Sequence, residues 1–219
     1  MKVFNNIIAL IIAMLQMITP QSLIETHFKT VLSAIASKQE ENFQFYDKTD
    51  GRDALYAYYE FDNDGLKDLF FVTAVSGMNL LEINIYVMFG NGEHTVITND
   101  FFMTKGLDNL ESLEEYSDKD GNKLYLIKSD VFSSGEQRNS ERFFDSGFIK
   151  VKEFTTIECN DQYRYFTDYY NGKDITAVEY NSIRDNYYKN ITKIDNIELN
   201  SITDFHADSI DSFVNQLFN

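Results

Sequence analysis

Four carboxylates and a glycine crowd into one short stretch of this chain, Glu60-Phe61-Asp62-Asn63-Asp64-Gly65-Leu66-Lys67-Asp68. Acids recur at every second residue, a glycine follows at once, and a further acid returns four residues after Asp64. On an EF-hand-like path, Glu60, Asp62 and Asp64 take the first, third and fifth positions and Gly65 makes the sharp turn at the sixth. The Leu66 carbonyl then falls at the seventh and Asp68 at the ninth, an oxygen cage suited to a hard cation such as Ca2+. Negative charges packed this closely repel unless a cation or bulk water relieves them.

Two departures weaken the cage. Glu60 stands where an EF-hand has Asp, and its longer arm must fold back to reach the same point. Phe71 stands where an EF-hand places its bidentate glutamate. With fewer and less rigid ligands, the expected affinity falls in the weak extracellular range, roughly 0.1–1 mM. A metal-free reading stands beside it. Asn63-Asp64-Gly65 is a strong hairpin-turn signal in its own right, with its carboxylates simply solvated.

The flanking residues carry a resemblance. Tyr56-Ala57-Tyr58-Tyr59-Glu60-Phe61 leads into the loop and Asp68-Leu69-Phe70-Phe71-Val72 leads out. This arrangement resembles the short calcium loops of FG-GAP and VCBS-type repeats. It is also similar to a group of secreted or lipid-anchored proteins of Gram-positive bacteria. Those have an N-terminal helix, an aromatic strand running into such a loop, a β-meander, and a late segment like Tyr170-Asn171-Gly172-Lys173-Asp174-Ile175-Thr176 that enters a helix. All four features occur here in that order, over most of residues 22–219. The resemblance implies an exported, calcium-binding module and transfers no catalytic activity. The acidic loop occurs once, which argues against a repeat propeller.

Other chemistry has little support. His27, His94 and His206 are scattered and form no His-Glu-x-x-His pattern, and there is no Gly-x-Ser-x-Gly elbow or phosphate-cradling glycine loop. The single cysteine, Cys159, rules out an internal disulfide framework. Its apolar and acidic neighbours offer nothing to activate it, so it reads as a half-buried strand-end residue. A spatial pair among 35 acids could support glycoside hydrolysis. Tyr163, Tyr165, Tyr169 and Tyr170 could contact sugars, but a tyrosine-rich strand more often serves cross-strand packing.

The net charge of −16 argues against nucleic acid and anionic membrane surfaces as partners, because both need a basic face. Apolar residues at 43% suffice for one core over the 219-residue chain. Residues 1–21 form a signal-like apolar segment. Its uncharged run from Ile7 to Ile18 is long enough for a signal peptide and too short for a membrane span. Ser22-Leu23-Ile24-Glu25 reads as a capping box that opens a new helix.

Residues 22–219 therefore read as a single α+β domain that positions the loop. Leu23, Ile24, Phe28, Val31, Leu32 and Ile35 share one helical stripe. Strands are expected over 55–61, 69–75, 83–89, 94–98, 113–116, 124–129, 148–157 and 163–170. Ile83, Ile85, Val87 and Phe89 alternate as in a half-buried strand, with turns at Gly90-Asn91-Gly92 and at 118–122. Thr176-Ala177-Val178-Glu179 is a second capping box with an Ile175–Tyr180 staple. The helix it opens should bury Tyr180, Ile183 and Tyr187. A last helix carries Ile210, Phe213, Val214, Leu217 and Phe218. The expected fold is a curled antiparallel β-meander sheet flanked by the N-terminal helix and two C-terminal helices.

The function this supports is a non-catalytic extracellular or cell-surface module, monomeric, with a weak structural calcium site at Glu60, Asp62, Asp64, Leu66 and Asp68. Its partner would be a protein or a glycan. Two alternatives remain open: a hydrolase using a carboxylate pair, and a cytoplasmic metal-free protein whose acidic loop is only a hairpin turn.

Overall fold

The computed structural model describes residues 20–43, 54–77, 80–97, 102–103, 110–133, 135–169, 172–202 and 205–219. The apolar run expected to act as an export signal lies outside them. The elements are α1 (Pro20–Phe43), β1 (Ala54–Tyr59), β2 (Asp68–Gly77), β3 (Leu80–Met88), β4 (His94–Ile97), β5 (Phe102–Met103), β6 (Leu110–Asp118), β7 (Lys123–Ser133), β8 (Glu136–Phe144), β9 (Lys150–Cys159), β10 (Gln162–Phe166), α2 (Ala177–Tyr188), β11 (Ile191–Ile197), β12 (Asn200–Ile202) and α3 (Ile210–Leu217). The class is α+β, with the expected N-terminal helix and two C-terminal helices, the first of which is followed by the short strands β11 and β12.

The strands divide between two antiparallel sheets. One runs β12-β1-β2-β3-β4, with the short β5 also paired to β3; the other runs β10-β9-β8-β7-β6-β11. Alternation along the strands then builds layers. Ala57, Phe70, Val72, Ile85 and Val87 face the second sheet and pack on Leu113, Tyr125, Ile127 and Phe144. The opposite face of the first sheet, with Ala54, Leu69, Phe71 and Met88, packs on Phe28 and Leu32 of α1 and on Phe213 and Val214 of α3. The outer face of the second sheet, with Tyr116, Leu124, Leu126, Phe143 and Phe154, is covered by Tyr180 of α2. The order of layers is helices, sheet, sheet, helix.

This layering corrects the reading of β3 as half-buried. Ile85 and Val87 on one face and Met88 on the other are all fully buried, because α1 and α3 cover the side expected to meet solvent. A second correction concerns α1. The helix is described from Pro20, so Ser22 lies within it and does not cap it. The Ser22 carbonyl accepts the Thr26 hydroxyl (2.7 Å), and a Glu25 oxygen takes the Gln21 amide (3.1 Å). Pro20, with φ already fixed near the helical value, suits a first turn. The box at Thr176 does form, with reciprocal Thr176 and Glu179 hydrogen bonds and Ile175 packed near Tyr180. Ile183, expected on the buried side of α2, is 42% exposed.

Candidate functional site

The acidic loop joins β1 to β2 and is built from within by Asx turns. Asp62 Oδ1 accepts from the Asp64 amide (3.2 Å), and Asp64 Oδ1 accepts from the Leu66 amide (2.7 Å). Asn63 and Gly65 both take left-handed φ values, 67° and 83°, which Asn and Gly tolerate better than other residues. The local residue types thus dictate the local path.

Tertiary contacts pin that path in place. Asp68 is fully buried beneath the loop, with Oδ2 accepting from the Phe61 amide (2.7 Å) and Oδ1 from the Gly90 amide (2.8 Å). Gly90 belongs to the β3–β4 turn pressed against the loop. A Cβ there would lie 2.6 Å from Leu66 Cβ, so only glycine permits the approach. From the second sheet, the Tyr125 hydroxyl donates to the Phe61 carbonyl (2.7 Å), and Lys123 Nζ donates to the Glu60 carbonyl (3.0 Å).

The expected ligands therefore separate into two groups. Glu60, Asp62 and Asp64 each offer an oxygen within 4.8 Å of the others. Asp68 instead accepts an amide at each oxygen, and the Leu66 amide, not the carbonyl expected as a ligand, donates to Asp64 Oδ1. One Glu60 oxygen already has a cation, Lys123 Nζ at 3.3 Å. The other, Oε1, is buried and meets no donor among the described residues.

Electrostatics follow from this packing. Burial pushes Asp68 up to about 6, partly offset by its two amide donors and reinforced by the charges of Asp62 and Asp64. Burial, more than the neighbouring Asp64 and Glu60 charges, also raises Asp62. Nearby, Tyr59 donates to buried Glu115 (2.5 Å). Glu114 takes Lys128 (3.1 Å) and Lys193 (3.0 Å). Glu153 takes Arg142 and Lys150, each at 3.1 Å. The buried carboxylates are thus committed to internal partners.

The other candidates fall apart or into structural roles. Asp118 turns the β6–β7 hairpin, accepting from the Asp120 (2.8 Å) and Asn122 (2.9 Å) amides, as the turn reading of 118–122 expected. Cys159 is a half-buried free thiol at the end of β9. His27 and His94 meet across the α1–hairpin contact with ring centroids 6.0 Å apart. Their wide separation in sequence hid that pairing, and no third ligand joins them among the described residues. Of the four tyrosines considered for sugars, Tyr163 and Tyr165 come together, Tyr169 packs on Phe166, and Tyr170 lies outside the described residues.

No helix among the described residues is long and apolar enough to cross a membrane. Compared with family models, curated proteins and solved structures, the chain matches none.

Proposed function

We propose that this chain is a non-catalytic extracellular or cell-surface module, rigidified by weakly bound calcium in the 60–68 loop, that binds a protein or glycan partner. The observation that carries the reading is the convergence of Glu60, Asp62 and Asp64 on a loop held from both sheets. The donor-free Glu60 Oε1 adds support, since a cation would supply what the protein does not. The choice against an enzyme draws on the commitment of the buried carboxylates Glu114, Glu115 and Glu153 to lysine, tyrosine and arginine partners.

Lys123 favours the metal-free reading at one of the three carboxylates, because it already neutralises part of Glu60. Its competition keeps calcium affinity low. At a Kd of about 1 mM, raising calcium to about 10 mM stabilises the fold by about 1.4 kcal/mol. Differential scanning calorimetry of the full chain measures this directly. Asp62→Ala with Asp64→Ala abolishes the increment, and magnesium gives a smaller one, since an irregular cage suits the larger ion. An unchanged wild-type melting temperature across that range removes calcium from the reading.

A further inference from the structure

The outer face of β9 and β10, beside the start of α2, carries aromatic surface that core packing does not use up. Tyr163 and Tyr165 sit on the edge strand with ring centroids 6.4 Å apart and planes 23° from parallel. Tyr165 rests against Tyr180 of α2 at 5.2 Å, and Tyr180 is buried, so the pair has a fixed base. Tyr163 is 53% exposed. It stands opposite Glu158 in the β9–β10 register.

A cleft of about 350 Å³ opens next to the pair, with Asn139, Thr156, Tyr180 and Asn181 in its lining. Thr156, in the cleft lining, is the cross-strand neighbour of Tyr165 and donates to the Tyr180 hydroxyl (3.4 Å), which places Tyr165 at the edge of the cleft and Tyr163 two residues further along β10. The charged groups of the cleft already have partners of opposite sign. Arg184 grips Glu141 through two bonds of 2.8 Å, and Lys128 pairs with Glu114 at 3.1 Å. Outside those ion pairs, the exposed polar groups of the lining are the neutral amides of Asn139 and Asn181, beside the tyrosine rings.

A ligand matching that surface has hydroxyl groups to exchange hydrogen bonds with amides and C–H edges to lie on electron-rich ring faces. It carries no phosphate, sulfate or carboxylate, because no uncommitted cation lines the cleft and a net charge of −16 repels anions. We propose that Tyr163, Tyr165 and the adjoining cleft bind a neutral saccharide. This rests on reading the chain as a non-catalytic binding module, and it names the partner class of that reading.

The test incubates the full chain with an array of neutral gluco-, manno-, galacto-, xylo- and N-acetylglucosamine oligosaccharides beside sialylated, sulfated and uronic-acid ones. The neutral probe with the strongest signal is then titrated calorimetrically. The expected result is binding to neutral probes, weakened roughly tenfold or more by Tyr163→Ala, as for a central aromatic anchor. Tyr163→Phe keeps the ring and retains most of it. Asn181→Ala, on the exposed side of α2, weakens it independently should the strand variant fold poorly. Absence of neutral signal, signal confined to acidic probes, or unchanged affinity in both Tyr163→Ala and Asn181→Ala overturns the proposal. The calcium melting shift is read separately, so either claim can fail while the other stands. Turnover of a bound probe would instead sink the non-catalytic reading.

Discussion

Asp68 organises the acidic loop more than the three acids that converge above it. Each of its oxygens holds an amide, one from the loop and one from the neighbouring hairpin. Asp68→Asn keeps one acceptor and turns an NH2 group toward the other amide, leaving a buried donor unsatisfied. The expected cost is about 2 kcal/mol, read from urea denaturation in the absence of calcium. Glu153 gives a second prediction at this scale. Burial alone would raise its pKa, but Arg142 and Lys150 outweigh burial and hold it below the ordinary 4.5. A group depressed in the folded state contributes stability above its unfolded pKa. That contribution disappears as pH falls from 4.5 through the lowered value. Glu153→Gln should therefore cost about 3 kcal/mol at pH 7, by taking the negative partner from a buried guanidinium. It should also flatten the loss of stability below pH 4.5, as thermal melts in a pH series would reveal.

At the scale of elements, the start of α2 is the best-defined local device. Thr176 Oγ1 accepts from the Glu179 amide (3.3 Å), and Glu179 reaches back to the Thr176 amide (3.1 Å). Thr176→Ala is expected to destabilise the domain by about 1 kcal/mol, measured by chemical denaturation against wild type. The same four-residue pattern at Ser22 does not form a cap, because the helix already runs through it from Pro20. Strands β8 and β11 were illegible for a related reason. β8 carries Gln137, Arg138, Asn139, Ser140, Glu141 and Arg142, so no apolar alternation marks it. It is a central strand because its neighbours supply partners for those groups, as Glu153 does for Arg142. β11 lies at a sheet edge with mostly exposed side chains, and its pairing with β6 is what makes it a strand.

For the molecule as a whole, the net charge of −16 is the dominant long-range fact. Like charges compressed into a folded volume destabilise it, and salt screens them. The melting temperature is therefore expected to rise between low and roughly 0.5 M sodium chloride, at a Debye length shortened from ~30 Å toward ~3 Å. A flat or falling response in a scanning calorimeter would mean that local ion pairs, which salt weakens, outweigh the global repulsion. The charge also bears on the layered architecture. Helices pack on the outer faces of both sheets, and the buried acids Asp68, Glu114, Glu115 and Glu153 are each held by internal partners.

The sequence by itself determined the contacts that close within a few residues. The Asx turns of the acidic loop, the Asp118 turn, the Thr176 box and the apolar stripe of α3 depend on side chains reaching their own backbone or the next helical turn. Residue type and spacing decide those. The sequence also placed four acids in one loop, but it could not say which of them would converge. That depended on partners far along the chain: Gly90, 22 residues from Asp68, and Lys123, 63 residues from Glu60. Strand pairing between and within the two sheets brings those groups together. Pairing is set by the burial of whole faces against one another, a sum over many residues that no local pattern contains. Only the tertiary structure could therefore turn Asp68 into a clamp, give Glu60 a lysine, and bring Tyr163 and Tyr165 together on the edge strand.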